Sequence, residues 1–269
     1  MSVSPLGPLH ALSWRLLRSA PADGTANMAT DLALLDHARR TGEATLRLYG
    51  WRRPTLSLGR HERARGVFDV RALRAAGVDV VRRPTGGRAL LHDREVTYSV
   101  TAPVGATSLG EAYGAINAVL LDGLRALGVR VTAVATRAGA PLRPDGAACF
   151  ATPGVGELVV DGAKLVGSAQ WRDADALLQH GSILLADDQP RIAALRAAGA
   201  AAPTEVAPAA TVADALGRAV TGDEVEAALV AALERALGAP PAPLDPALFQ
   251  RDLARHLVVL ADPNWTWRR

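Results

Sequence analysis

The only cysteine of the chain, Cys149, stands fifteen positions ahead of Lys164, and Gln179 and His180 follow in the run 178-LQHGSILL-185. A thiol and an amine brought together in a cleft suit acyl transfer. The ammonium favours the thiolate, and burial tunes both groups toward neutral pH. A thiolate exchanges one thioester for another at little thermodynamic cost, without prior activation of a carboxylate. A second cluster, 82-RRPTGGRALLHDREVTYSV-100, sets Arg82, Arg83 and Arg88 around Gly86 and Gly87. The glycines allow a ligand close to the backbone, whose amides can line an acyl carbonyl or a phosphate. The guanidinium groups can pair with phosphate or with an acidic carrier protein. The G-x-x-x-x-G-K-[ST] spacing of a P-loop is absent.

Each of these residues also has a plainer reading. A lone cysteine is often a small buried hydrophobe, and Lys164, just after the Asp161-Gly162 turn, also fits a solvated hairpin. The arginine loop equally fits a solvated turn. His92 and His180 fit satisfied core or turn histidines. Neither has partners at metal-ligand spacing, so no metal is expected.

The elements that must position these groups can be read from periodicity. Leu32, Leu34 and Leu35 suit a helix over roughly 26 to 40, with Thr25 or Asn27 as its cap and Gly42 as its end. The runs 45-TLRLYGW-51 and 55-TLSLGR-60 alternate like two strands of a hairpin. Asp69 caps a short helix through Ala76, Gly77 closes it, and 78-VDVVRR-83 is a strand leading into the arginine loop. Strands at Ala89 to Leu91 and Val96 to Thr101 follow, then a helix over 108 to 128. The segment 156-GELVVDGAKLVGSAQ-170 reads as two strands around an Asp-Gly turn, and with 176-ALLQHGSILL-185 it forms an antiparallel meander. Beyond Asp188 the alanine-rich stretches 191–199, 211–218 and 222–238 favour helix. The proline-rich 239-APPAPLDP-246 is a connector to a final amphipathic piece from Ala247 to Leu257, and Trp265 and Trp267 are expected to fold back onto the domain.

With 269 residues the chain can bury a sizeable core, and its single cysteine excludes an intrachain disulfide, which favours a reducing, cytoplasmic setting. Charged residues interrupt the leucines of the first twenty-two positions, so no export signal is expected. No run of eighteen apolar residues predicts a membrane span. The net charge of +3 is mild, and the basic residues lack interleaved aromatics, so no nucleic-acid partner is expected.

The ordered motifs at 82–100, 162–172 and 178–185, together with 27-NMATDLALL-35 and 47-RLYGWRRPTLSLGR-60, resemble the biotin/lipoate protein ligase and lipoate/octanoate transferase family. The resemblance runs over roughly residues 14 to 186. It implies an α+β fold, a single ligase-like domain with a mixed or antiparallel sheet flanked by helices. The catalytic core would span 14–188, with a helical C-terminal section of the same domain over 189–269. The phrase 148-ACF-150 is most similar to the cysteine position of the Gram-positive type of octanoyltransferase. That likeness implies transfer of octanoyl from octanoyl-acyl carrier protein through an acyl-Cys149 thioester, with Lys164 as the catalytic partner. The acceptor would be a lysine of the glycine cleavage H protein or of an E2 lipoyl domain, and no cofactor would be required. Arg83, Gly86, Gly87, His92, Gly167, Ser168, Gln179 and His180 would form the substrate site. Such transferases usually carry an aromatic residue before the glutamate that follows the cysteine, where this chain reads 151-ATPGVGE-157 with Gly156. The rivals are an ATP- and Mg-dependent lipoate ligase working through an adenylate, an amidotransferase moving octanoyl or lipoyl groups between proteins, and a noncatalytic scaffold that binds acylated proteins.

Overall fold

The computed structural model describes residues 4–134, 156–200 and 208–269. Its strands in chain order are β1 (Trp14–Arg18), β2 (Ala44–Tyr49), β3 (Thr55–Leu58), β4 (Asp79–Arg82), β5 (Leu90–His92), β6 (Glu95–Pro103), β7 (Thr132–Ala133), β8 (Leu158–Val160), β9 (Ala163–Asp173), β10 (Ala176–Leu184) and β11 (Ala242–Pro243). The helices used below are α1 (Gly24–Thr41), α2 (Val70–Ala75), α3 (Leu109–Ala126), α4 (Val212–Leu216), α5 (Gly222–Leu237) and α6 (Gln250–Leu260). One mixed sheet runs β11-β1-β2-β6-β10-β9-β8-β7, and a small second sheet runs β4-β3-β5. This is the α+β architecture the sequence implied.

The large sheet is covered on both faces. On one, α3 and α5 bury Ile116, Leu120, Leu229 and Leu233 against Leu46, Leu48, Val96 and Val100 of β2 and β6. Capping boxes begin both helices, Ser108 with Glu111 and Thr221 with Glu224, each joining two backbone amides to side chains. On the other face lies α1, backed by α6 through Leu257 and Leu260 against Met28. Here the α1-to-sheet contact is largely polar, with Asn27, Asp31, Arg47 and Ser99 all buried. The small sheet closes over Phe68, Leu73, Ile192 and Leu195.

Several sequence expectations change. The runs 45–51 and 55–60 are not a hairpin, because β2 pairs with β1 and β6 while β3 crosses to the small sheet and pairs parallel with β4 and antiparallel with β5. Alternation reported strands but not partners, and Arg52-Arg53-Pro54 is a crossing between sheets. Asp23, not Thr25 or Asn27, caps α1 by accepting from the Ala26 amide, while Gly42 ends the helix in the left-handed region at φ 74°. The expected helix at 191–199 is a 3-10 turn over Gln189–Leu195. The proline-rich connector contains β11, which adds parallel to β1, a strand the sequence did not mark. The meander holds: β8, β9 and β10 are antiparallel neighbours, with the Asp161-Gly162 turn at positive φ. Trp265 and Trp267 pack inward as expected.

Candidate active site

Cys149 lies outside the described residues. Lys164 does not: its side chain is 2% exposed, and Nζ donates to Glu157 Oε1 at 2.6 Å. The solvated-hairpin reading therefore fails. The pairing of β8 with β9 shifts beside it, since Val159 faces Lys164 while Leu158 faces Val166, so β9 carries Leu165 as one extra residue. Such a bulge re-aims the side chains at its ends.

Around this pair a polar chain crosses the sheet. Tyr98 Oη lies 2.7 Å from Ser168 Oγ and accepts from Gln179 Nε2, which also donates to Asn117 Oδ1 at 3.0 Å. The Tyr98 ring reaches Ser168 by passing over Gly181, where a Cβ would meet Tyr98 Cε1 at 2.8 Å and the Gly167 carbonyl oxygen at 2.5 Å. Asn117 in turn donates to the Gly156 carbonyl at 2.7 Å. Gly156 has φ 78°, and the Tyr113 ring stands 3.1 Å from where its Cβ would be. An aromatic ring thus reaches position 156 from α3 rather than from the chain itself. Burial, outweighing its contacts with Asn117 and the Lys164 charge, raises the Tyr113 hydroxyl above its ordinary value.

A cleft of about 320 Å³ opens between the large sheet and the small one. Its lining includes Trp51, Leu90, His92, Gly167, Ala169 and His180. Met28, Arg83, Ser168 and Gly181 also border it. The cleft therefore gathers Arg83, His92, Gly167, Ser168 and His180 of the residues named from sequence, whereas Gln179 is buried behind Ser168 and Gly86 and Gly87 form the loop above Arg83. Arg83 is directed inward: it donates to Ser57 O and Oγ and to the carbonyls of Gly86 and Arg88, so it clasps its own loop. Gly59 comes so close beneath that a Cβ there would lie 1.9 Å from the Gly87 oxygen. Gly87 itself holds φ 96°, a conformation that glycine takes without cost.

Both histidines are satisfied core residues that also wall the cleft. His92 is stacked on Trp51 with centroids 3.9 Å apart, and its ring nitrogens meet Ser57 Oγ at 2.6 Å and Glu95 Oε1 at 2.7 Å. His180 meets Thr85 Oγ1 at 2.7 Å and Asp31 Oδ2 at 3.0 Å. Burial of Asp31 opposes its charge, but the His180 hydrogen bond and the Arg47 guanidinium at 2.8 Å hold it ionised, below the usual carboxylate range. Burial pulls His180 below the usual imidazole range, so it is neutral, with Nδ1–H donating to Asp31 and Nε2 accepting from Thr85. Two buried carboxylate-imidazole-hydroxyl chains therefore run to the arginine loop, one ending on Thr85 and the other, through Ser57, on Arg83.

The sequence reading did not single out Glu157, Asp31, Arg47, Tyr98 or Asn117. Asn27 and Asp31 had a legible signal: two polar residues four apart on the helix face that continues through Leu34, Leu35 and Ala38. Arg47 had one too, as the one charge in the apolar and β-branched run 44-ATLRLY-49. Among the described residues no cluster of three or more His, Cys, Asp or Glu side chains could hold a metal, and no helix is long and apolar enough to cross a membrane.

A mainly apolar cleft at the junction of two sheets, bordered by Arg83 of the glycine loop, sits in a fold shared with lipoate-protein ligases. The model of the lipoyl protein ligase A/B catalytic domain matches residues 23–234, and the chain belongs to that family. Among its relatives is the octanoyltransferase LipM of Kyrpidia tusciae, 41% identical over 96% of this chain and 99% of that protein. The octanoyltransferase LipM of Symbiobacterium thermophilum is also 41% identical, over 84% of this chain and 87% of its own. The putative lipoate protein ligase Ta0514 of T. acidophilum, solved with bound lipoic acid, superposes with a TM-score of 0.74, covering 95% of this chain and 100% of that one. At 21% identity it shows the shared fold.

Proposed function

We propose that the protein is an octanoyltransferase that takes an octanoyl group from octanoyl-acyl carrier protein onto Cys149 and passes it to a lysine of a lipoyl-acceptor protein. The observation that carries this reading is the 41% identity, over nearly the whole of both chains, to an octanoyltransferase. The exposed surface of the cleft is mostly apolar, with Met28, Leu90 and Ala169 in its lining, which suits an unbranched acyl chain.

In the first half-reaction the Cys149 thiolate attacks the thioester carbonyl, the carbon–sulfur bond to the carrier breaks, and the carrier thiol leaves with a proton. In the second, the amine of the acceptor lysine attacks the Cys149 thioester, an amide forms, and the Cys149 thiol is released. Lys164, fixed by Glu157, serves proton transfer at the sulfur and the leaving group. Backbone amides of the Gly86–Gly87 loop face the developing oxyanion. His92 and His180, each engaged at both ring nitrogens, hold the walls. Neither step breaks a bond that ATP must prepare, so no cofactor enters, and the reduced thiol that the cycle needs fits a cytoplasmic enzyme. The glycine cleavage H protein and E2 lipoyl domains are the acceptors this chemistry fits.

Incubating the protein with octanoyl-acyl carrier protein, without ATP, and weighing it intact tests the reading. One octanoyl group mapped to Cys149, and none on Cys149→Ala, is the expected result. Modification of an acceptor that depends on ATP and survives Cys149→Ala would instead establish a ligase.

A further inference from the structure

Beside the cleft the fold assembles arginines that no Asp or Glu side chain pairs with among the described residues. Arg60, His61, Arg268 and Arg269 line an open hollow of about 450 Å³. Arg63 and Arg65 follow on the same loop, and both are exposed. None of these five arginines forms an ion pair among the described residues, whereas Arg15, Arg94, Arg191 and Arg235 are each matched by an aspartate or glutamate. The one acid in the loop, Glu62, is turned inward and accepts from the amides of Gly59 and Ala89.

The arrangement is built, not incidental. Arg82, buried beneath, donates to the carbonyls of Gly59 and Glu62 on the loop and of Thr266 in the C-terminal segment, and its own carbonyl accepts from Trp265 Nε1 at 3.0 Å. The amides of Ala64 and Arg65 donate to the Arg269 carbonyl oxygen at 3.0 and 2.9 Å, Arg65 Nε donates to Trp267 O, and Arg268 donates to Arg60 O. Arg268 lies over the Trp265 ring at 4.0 Å and Arg60 over the Trp171 ring at 4.8 Å. Two cationic segments more than 190 positions apart are thus locked side by side. They repel: partial burial together with the charges of Arg60 and Arg269 lowers Arg268, and burial followed by the charge of Arg268 pulls Arg82 down to about 10. A fold that holds like charges together with this many hydrogen bonds is preorganised for an anionic partner.

The hollow adjoins the glycine loop. The Arg60 amide donates to Thr85 O at 2.8 Å and its guanidinium to Pro84 O at 3.2 Å. An anionic partner seated here is therefore placed to present an acyl group to the cleft. We propose that the surface formed by Arg60, Arg63, Arg65, Arg268 and Arg269 docks an acidic protein that carries the acyl chain to the enzyme, so that the C-terminal segment is part of donor recognition. This proposal rests on the octanoyl-transfer reading above.

The test compares two donors, octanoyl-acyl carrier protein and the uncharged thioester octanoyl-N-acetylcysteamine, in the wild type, in an Arg268→Glu/Arg269→Glu double variant and in Arg63→Glu. The Arg63 side chain makes no hydrogen bond among the described residues, so its reversal leaves the fold intact even if the tail pair does not. Charge reversal is expected to raise KM for the carrier donor by about tenfold at low ionic strength, with kcat and the kinetics of the small thioester unchanged, and the difference should vanish at high salt. Unchanged carrier KM in an active wild type overturns the docking surface and leaves octanoyl transfer standing. Equal losses with both donors in Arg63→Glu also overturn it. So does a variant that loses affinity for a single-stranded oligonucleotide while its carrier KM is unchanged. A wild type that uses neither donor overturns the transfer reading and the docking surface with it.

Discussion

Glu157 and Lys164 face each other across the β8–β9 turn at 2.6 Å, with side chains 13% and 2% exposed. The pair is a short-range hairpin contact, and the bulge at Leu165 brings the lysine out of the regular alternation of its strand. The Glu157 carboxylate and the register shift both act on its position.

Removing that carboxylate should separate positioning from stability. Glu157→Ala is expected to cost about 1–3 kcal/mol in denaturant unfolding, from the loss of a buried charged hydrogen bond. It is also expected to slow octanoyl transfer by about 10- to 100-fold as the amine loses its place. Glu157→Gln keeps an acceptor and should restore most of the stability but little of the rate. Full activity in Glu157→Ala would show that Lys164 is placed by other contacts.

Gly59→Ala tests the glycine loop from below. A Cβ 1.9 Å from the Gly87 oxygen meets backbone, so the loop must move. The expected cost is about 1–3 kcal/mol in stability, typical of overpacking. Transfer activity should fall further than that stability loss explains, read as kcat at a temperature where the variant is fully folded.

The Asp31–His180 pair gives a pH signature. Because the folded state lowers His180 from 6.5, the unfolded chain binds its proton more readily, so the stability from neutral His180 is present above 6.5 and is lost as pH falls toward the depressed value. Asp31, also lowered, adds a second loss below 3.8, where the unfolded carboxyl takes up a proton first. Melting temperature should therefore fall from just below 6.5 downward, and His180→Asn should flatten the upper part of that fall. An unchanged profile in the variant would assign the titration elsewhere.

Asp31→Ala should be the most damaging of these substitutions. It strands Arg47, whose side chain is 2% exposed, and removes acceptors from Tyr49, Ser99 and His180. Breaking a buried ion pair in this way costs about 3–5 kcal/mol, measurable as a drop in the urea midpoint.

Much of this fold is local in origin and was therefore legible. Asp69 capping α2, Gly42 ending α1 and the Asp161-Gly162 turn are decided by neighbours in sequence. Partnering across distance was not: β2 and β3 alternate alike, yet they enter different sheets, and β11 is a strand only because β1 offers it an edge. The site divides along the same line. Arg83, His92, Gly167, Ser168 and His180 stand in compact motifs and meet in one cleft. Glu157, Asp31 and Tyr98 matter through partners that folding alone brings near, such as Asp31 and His180, 149 positions apart.

The terminal strands of the large sheet, β11 and β7, are each two residues long, and β11 ends in Pro243, which has no amide hydrogen to offer outward. At the β11 border an incoming strand would therefore find a short partner with a missing donor. That margin of the sheet is thereby a poor template for edge-to-edge pairing with a second molecule.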